Sequence, residues 1–250
     1  MSAKLFVLVP PSESKSTGGT YESQPGTFDD ELKVPRRAVV AAVRELLESS
    51  PSTLIEKTLN ARGPLLVRAI ESMVALVDGR APLKPAWKRY SGVVWSHLDA
   101  ASLTPNQRRR LLIPSGLYGV STAIDPIANY RLKMDVGLAP LGGMARFWRP
   151  ILAPALVKHV KGATIINLLP SQHSAALDFE FLARHCQIVN VEFVAANGAG
   201  AAGHAAKAVK GIVARRLIKH GVGVLEDFAW EGWSLERRGS AVRILAPGGS

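Results

Sequence analysis

Short runs of β-favouring residues alternate along this chain with longer stretches of helical periodicity, and that alternation limits the fold more than any other feature. The runs Leu5–Val9, Val93–Trp95, Leu111–Ile113, Thr164–Leu168, Ile188–Val194 and Ala241–Leu245 read as strands. Apolar residues recur at helical spacing over Arg36–Leu47, Leu65–Val77, Ile151–Val160, Ala175–Arg184 and Ala205–Lys219. Elements of both kinds, interleaved, bury their apolar faces by stacking in layers, so the expected class is α/β (mixed α+β). The spacing is too irregular for a doubly wound repeat, and no internal repeat is present. Two stretches, Ser12–Gly26 and Asp78–Pro85, read as loops rich in Ser, Thr, Gly and Pro. Neither is long enough to link domains, so residues 1–250 are read as one domain.

Composition narrows the setting. Apolar residues make up 47% of the chain, enough for a sizeable core. No apolar run approaches the roughly 20 residues of a membrane span. The opening apolar run, Leu5 to Val9, ends at Pro10-Pro11, which suits a first strand better than a signal peptide. A single cysteine, Cys186, excludes an intrachain disulfide and fits a reducing cytoplasm. The formal charge of +11 points to a polyanionic or phosphate-bearing partner, although GC-rich coding DNA also enriches Ala and Arg. Distribution adds weight to the first reading. No acidic residue falls between Glu192 and Glu226, where Lys207, Lys210, Arg215, Arg216 and Lys219 all lie. On a helical wheel His204, Lys207, Lys210, Arg215 and Lys219 share one half, opposite Ala205, Val209, Ile212, Val213 and Leu217.

Three segments carry candidate chemistry. Pro10-Pro11-Ser12-Glu13-Ser14-Lys15-Ser16-Thr17-Gly18-Gly19 follows the first strand, where α/β proteins place ligands. Its hydroxyls, backbone amides and lysine suit an anion, with Ser12, Ser14 and Lys15 as contacts, although the P-loop spacing is absent. Pro114–Val120 continues through Asp125-Pro126 to Tyr130-Arg131-Leu132-Lys133-Met134. Crowding Tyr118, Asp125, Tyr130 and Arg131 into a punctuated loop is typical of a site, with an Asp125–Arg131 ion pair as the plain structural alternative. Asn197-Gly198-Ala199-Gly200-Ala201-Ala202-Gly203 satisfies the dinucleotide-binding spacing, but Asn-Gly also favours a hairpin turn, and the hairpin is the preferred reading. Neither His nor Cys shows metal-ligand spacing, so no metal and no cofactor is expected. Cys186, in apolar company, reads as a buried small residue.

Taken in order, these segments resemble the YaaA peroxide-stress family. Val9-Pro10-Pro11-Ser12-Glu13-Ser14-Lys15 is similar to that family's PPSEGK-type loop, and Tyr90-Ser91-Gly92-Val93-Val94-Trp95 to its Y-x-G-x-V-Y segment. Ser115–Gly119 with Asp125-Pro126 and Tyr130–Met134 is the most specific match. Phe147-Trp148, Ile165–Leu168 and the His204, Lys207, Lys210-Gly211, Arg215 pattern follow in the same order. The glycine-alanine tract Gly198–Gly203 and Ala206 depart from the pattern. The resemblance implies a single compact domain with a central mixed sheet flanked by helices, a cytoplasmic location, and a role in peroxide protection that partly limits free iron. It also implies DNA binding through a basic face.

Two functions remain open at the level of sequence. In one, Lys207, Lys210, Arg215 and Lys219 contact phosphates of duplex DNA without reading its sequence, and the Lys15 and Tyr118–Arg131 loops line an adjoining cleft. In the other, the chain is an enzyme acting on a nucleotide or a small phosphorylated or carboxylated metabolite. Lys15 and Arg131 then hold the anion, Asp125 exchanges protons, and Tyr118 or His204 positions the substrate. The first predicts a broad basic face. The second predicts Lys15, Asp125, Arg131 and His204 converging in one pocket.

Overall fold

The computed structural model describes residues 4–21, 24–195, 198–238 and 241–247. The strands are β1 (Leu5–Leu8), β2 (Leu83–Pro85), β3 (Leu111–Ser115), β4 (Gly119–Thr122), β5 (Pro126–Ala128), β6 (Gly137–Leu138), β7 (Gly142–Gly143), β8 (Thr164–Asn167), β9 (Gln187–Val194), β10 (Ala229–Trp230), β11 (Trp233–Arg238) and β12 (Ala241–Leu245). The helices are α1 (Asp29–Ser49), α2 (Ser52–Leu59), α3 (Gly63–Val77), α4 (Ala86–Arg89), α5 (Val93–Leu98), α6 (Pro105–Arg108), α7 (Met144–Val160), α8 (Ser171–Ser174), α9 (Phe179–Ala183) and α10 (Gly203–His220).

Eight strands form one mixed sheet in the order β10-β11-β12-β9-β8-β1-β3-β4. The five from β12 to β3 run parallel to their neighbours, and antiparallel strands close both edges. Every residue of β1, β3, β4 and β8 is buried, as expected where helices cover both faces of a sheet. On β9 most positions are only partly buried or exposed.

The helices follow from local sequence. Asp29, Asp30 and Glu31 occupy the first turn of α1, where carboxylates complement the positive end of the helix dipole, and Leu32, Val39, Val43 and Leu46 form its buried stripe. Helix α6 opens on a reciprocal capping box between Thr104 and Gln107. Helix α10 packs on α5 and β1.

Three sequence expectations change. Val93–Trp95, read as a strand, is the first half of the six-residue helix α5. The helix packs on α10 while the Trp95 indole donates to the Pro10 carbonyl at 3.1 Å, so tertiary contacts override the local β preference. Ala175–Arg184 is not one helix: α8 stops at Ser174, and Asp178 caps the separate α9 through the Phe181 amide. The Asp78–Pro85 loop ends in β2, which pairs with β5.

Candidate functional site

The four parallel strands β9, β8, β1 and β3 lie side by side, and the chain leaves β1 for β3 on one flank before returning to lay β8 on the other. In open α/β sheets such a reversal opens a crevice beyond the carboxyl ends of the strands. A cavity of about 720 Å³ lies there. Each of the four strands contributes to its wall: Pro10–Lys15 after β1, Gly116 after β3, Pro170, Gln172 and His173 after β8, and Phe193 at the end of β9. Helices α5 and α10 and the segment Tyr130–Lys133 complete it.

The loop after β1 is zipped in place rather than left free. Lys15 bridges Tyr90, the Ser16 amide donates to the Arg89 carbonyl at 2.8 Å, and the Ser91 amide donates to the Ser14 carbonyl at 3.1 Å. Behind it, the buried Arg89 guanidinium donates to the carbonyls of Ser16, Pro82 and Ile127. The opposite wall is fixed by close backbone approach. A Cβ on Gly116 would lie 2.5 Å from the Lys133 carbonyl oxygen and 2.8 Å from that of Leu132, and the buried Trp148 indole donates to the Gly116 carbonyl at 2.8 Å. Glycine is required there because Arg131–Lys133 must press directly on β3.

Charge inside the cleft is predominantly positive. Lys15, Arg131, Lys133, Lys207 and Lys210 line it, against Glu13 and Asp135. Both oxygens of Glu13 are engaged, one by Lys133 at 2.8 Å and one by Arg131 at 3.3 Å. Burial opposes ionisation of Glu13, yet Lys133, with Arg131 and Lys15, outweighs it and holds the carboxyl below the usual range. Arg131 also donates to the carbonyls of Leu59 and Asn60 at 2.7 and 2.8 Å.

Among the described residues Lys15 has no carboxylate within ion-pair distance. Its Nζ donates to the Ser12 carbonyl at 2.8 Å and lies 4.1 Å from the centre of the Tyr130 ring. Burial, reinforced by Arg131 and only partly offset by Glu13, brings its pKa down to about 7. Burial alone brings Lys210, whose Nζ lies 4.9 Å from the centre of the Phe193 ring, to about 8. Burial drives His173 down to about 4, so this imidazole is neutral at physiological pH, and its buried Nδ1 has no hydrogen-bond partner among the described residues.

The cleft gathers only some of the residues singled out in the sequence. Ser12, Ser14, Lys15, Arg131, Lys207 and Lys210 converge on it. Asp125 does not. It is buried elsewhere, its carboxylate accepting from the amide and hydroxyl of both Thr27 and Thr122 at 2.5–3.0 Å. Those four donors make it the tie of a turn, and neither a pairing with Arg131 nor a proton-exchange role in the cleft fits its position. Tyr118 also lies behind the wall: its hydroxyl accepts from the Ala128 amide at 2.8 Å, and its ring meets the edge of Tyr130. His204 is exposed and outside the lining, Arg215 pairs with Asp99 at 3.5 Å, and Lys219 is exposed in the last turn of α10. At 1.5 Å per residue, Lys219 stands about 18 Å along the helix from Lys207.

The glycine-rich tract is a fold-back at the end of β9. Val194 bridges Gly200, the Ala195 amide donates to the Ala199 carbonyl at 2.8 Å, and the Ala201 amide donates to the Phe193 carbonyl at 2.7 Å. Asn197 itself lies outside the described residues. The Ala201 amide and that of Gly198, which donates to the Ala195 carbonyl at 2.9 Å, are thus spent within the fold-back. Sequence reading overlooked Glu13, Lys133 and His173 as site residues. Lys133 stood within the Tyr130–Met134 run, and His173 lies in α8, six residues beyond the end of β8, on the side of the sheet where α/β folds present ligand contacts.

Among the described residues no group of three or more His, Cys, Asp or Glu could hold a metal ion, and no helix is long and apolar enough to cross a membrane.

Fold and cleft together define a mixed α/β protein with a cationic cleft at the carboxyl edge of its parallel strands. The sequence profile described as peroxide stress protein YaaA matches residues 5–238. A UPF0246 protein of Streptomyces coelicolor is 30% identical over 230 residues, covering 87% of this chain and 84% of that protein. One from Pseudoalteromonas translucida is 29% identical over 244 residues, covering 91% and 92%. The match to a Phocaeicola vulgatus relative is 30% identical and spans 63% of that protein's length. The chain belongs to the YaaA peroxide stress protein family.

Proposed function

We propose that the cleft binds a small anionic ligand with an apolar body, a nucleotide or a phosphorylated or carboxylated metabolite, and that this binding serves peroxide protection in the cytoplasm. The observation carrying this reading is the convergence of Lys15, Arg131, Lys133, Lys207 and Lys210 on one cavity that also offers Trp95 and Phe193 as apolar wall. A few placed charges in a largely apolar concavity is the usual make-up of a small-molecule site. Removing one charge-assisted contact to a bound anion costs about 1.5–3 kcal/mol, or roughly tenfold or more in affinity. Calorimetric titration with inorganic pyrophosphate and with adenine nucleotides is therefore expected to show binding that weakens at least tenfold in Lys210→Ala. Equal affinities for wild type and variant would refute the site.

Duplex DNA is the second reading, favoured by the absence of acidic residues from Glu192 to Glu226 and by the exposed Lys207 and Lys219 on α10. Fluorescence anisotropy of a short duplex across a salt series separates the two. A DNA binder gives a steep salt dependence that becomes shallower in the Lys207→Ala/Lys210→Ala double variant. Absence of binding at physiological salt leaves the small-ligand reading alone.

A further inference from the structure

The lysine of the first loop sits in an environment that a structural or purely ion-pairing lysine does not need. Its natural counter-ion, Glu13, is consumed on both oxygens by Arg131 and Lys133. Its own Nζ donates only to backbone carbonyls, Ser12 at 2.8 Å and Glu13 at 3.5 Å, and lines the cavity beside the Tyr130 ring. Around the same space stand Arg131, Lys133 and Lys210, able to hold a carboxylate or phosphate, and His173, whose Nδ1 is unpartnered among the described residues.

We propose that Lys15 is a nucleophilic amine that captures the carbonyl group of an anionic oxo compound, such as a 2-oxo acid or a phosphorylated aldehyde, as an imine. The proposal rests on the reading of the cleft as an anion site. The Nζ lone pair attacks the carbonyl carbon and a C–N bond forms. The carbonyl π electrons pass to oxygen, which takes up a proton while nitrogen loses one, giving a carbinolamine. The hydroxyl, protonated, then leaves as water as the nitrogen lone pair closes the C=N bond, and loss of the remaining N–H proton leaves the neutral imine. The balance is amine plus carbonyl to imine plus water, with no oxidant or reductant. The protons of these steps exchange with solvent in the open cleft, and the surrounding cations fix the anionic arm so that the carbonyl faces Nζ. Burial and the neighbouring Arg131 keep a substantial fraction of Lys15 as free amine near neutrality.

The test uses the full chain with glyoxylate as probe and cyanoborohydride to reduce any imine, followed by intact-mass analysis and peptide mapping at pH 7. Reduction adds a hydride to carbon and fixes one carboxymethyl group on the reacting lysine. The expected result is labelling of Lys15 at least roughly tenfold faster than of exposed lysines such as Lys57, slowed by inorganic pyrophosphate, and missing at that position in Lys15→Arg. Labelling of Lys15 no faster than of Lys57, with pyrophosphate still bound in calorimetry, overturns the imine and leaves the anion site standing. Absence of both selective labelling and pyrophosphate binding overturns the two together.

Discussion

Gly211→Leu is expected to destabilise the fold by about 3 kcal/mol or more and to abolish ligand binding in the cleft, with Gly211→Ala in the same direction but smaller. The reason is a backbone-to-backbone contact. A Cβ on Gly211 would collide with the Val94 carbonyl oxygen and stand 2.8 Å from the Leu98 amide nitrogen and 2.9 Å from the His97 Cβ. Helix α10 therefore lies directly on α5, with no room for a side chain between them. Retreat of α5 is blocked because Trp95 is buried in the core and its indole is tied to Pro10, at the root of the Lys15 loop. Retreat of α10 would carry Lys207 and Lys210 out of the cleft. Urea unfolding checks the first effect through the midpoint and pyrophosphate calorimetry the second. A midpoint within error of wild type would show that the two helices part without cost, contrary to the packing described.

The same glycine marks the boundary of what the sequence made legible. Lys210-Gly211 was visible as part of a family-like pattern, and its helix was readable from periodicity, but the reason for the glycine lies in α5, more than a hundred residues earlier. Val93–Trp95 failed as a strand for a related reason, since these residues form a short helix packed on a partner remote in sequence. The central strands were legible because continuous apolar runs bounded by turn residues suit a sheet covered on both faces. The short antiparallel edge pieces, such as β4 and β10, carry no such signal.

Site residues divide along a similar line. Lys15, Arg131, Lys207 and Lys210 were readable as candidate anion contacts from residue type and from position after strands or on a cationic helix face. Their meeting in one cavity depends on sheet order, which local patterning does not encode. Asp125 and Tyr118 misled because a conspicuous polar residue in a loop has the same appearance whether it faces a ligand or secures a turn. Only the donors around it decide, and for Asp125 two threonines supply all four.

The partly buried amine itself provides the other large effect: Lys15→Met is expected to stabilise the fold at neutral pH, by about 2 kcal/mol, while destroying anion binding. The sign follows from linkage. In the unfolded chain the lysine titrates near its ordinary 10.5, whereas burial, with Arg131 close by, brings it to about 7 in the folded protein. Below pH 7 the group is charged in both states, and folding carries the full cost of burying that charge. Between about 7 and 10.5 the unfolded chain holds a proton that the folded one has released, so the stability of the wild type rises with pH across this window. Above 10.5 the amine is neutral in both states and the cost is gone. The advantage of Lys15→Met should thus be greatest at pH 7 or below and shrink toward nothing near pH 10.5, as read by urea unfolding of the two proteins side by side. Saturating pyrophosphate should stabilise the wild type and leave the variant unchanged, because the bound anion supplies the missing countercharge. A variant less stable than wild type at every pH would mean that the Ser12 carbonyl and the Tyr130 ring hold the ammonium form favourably, and Lys15 would then be a fixed cation with no free amine to offer.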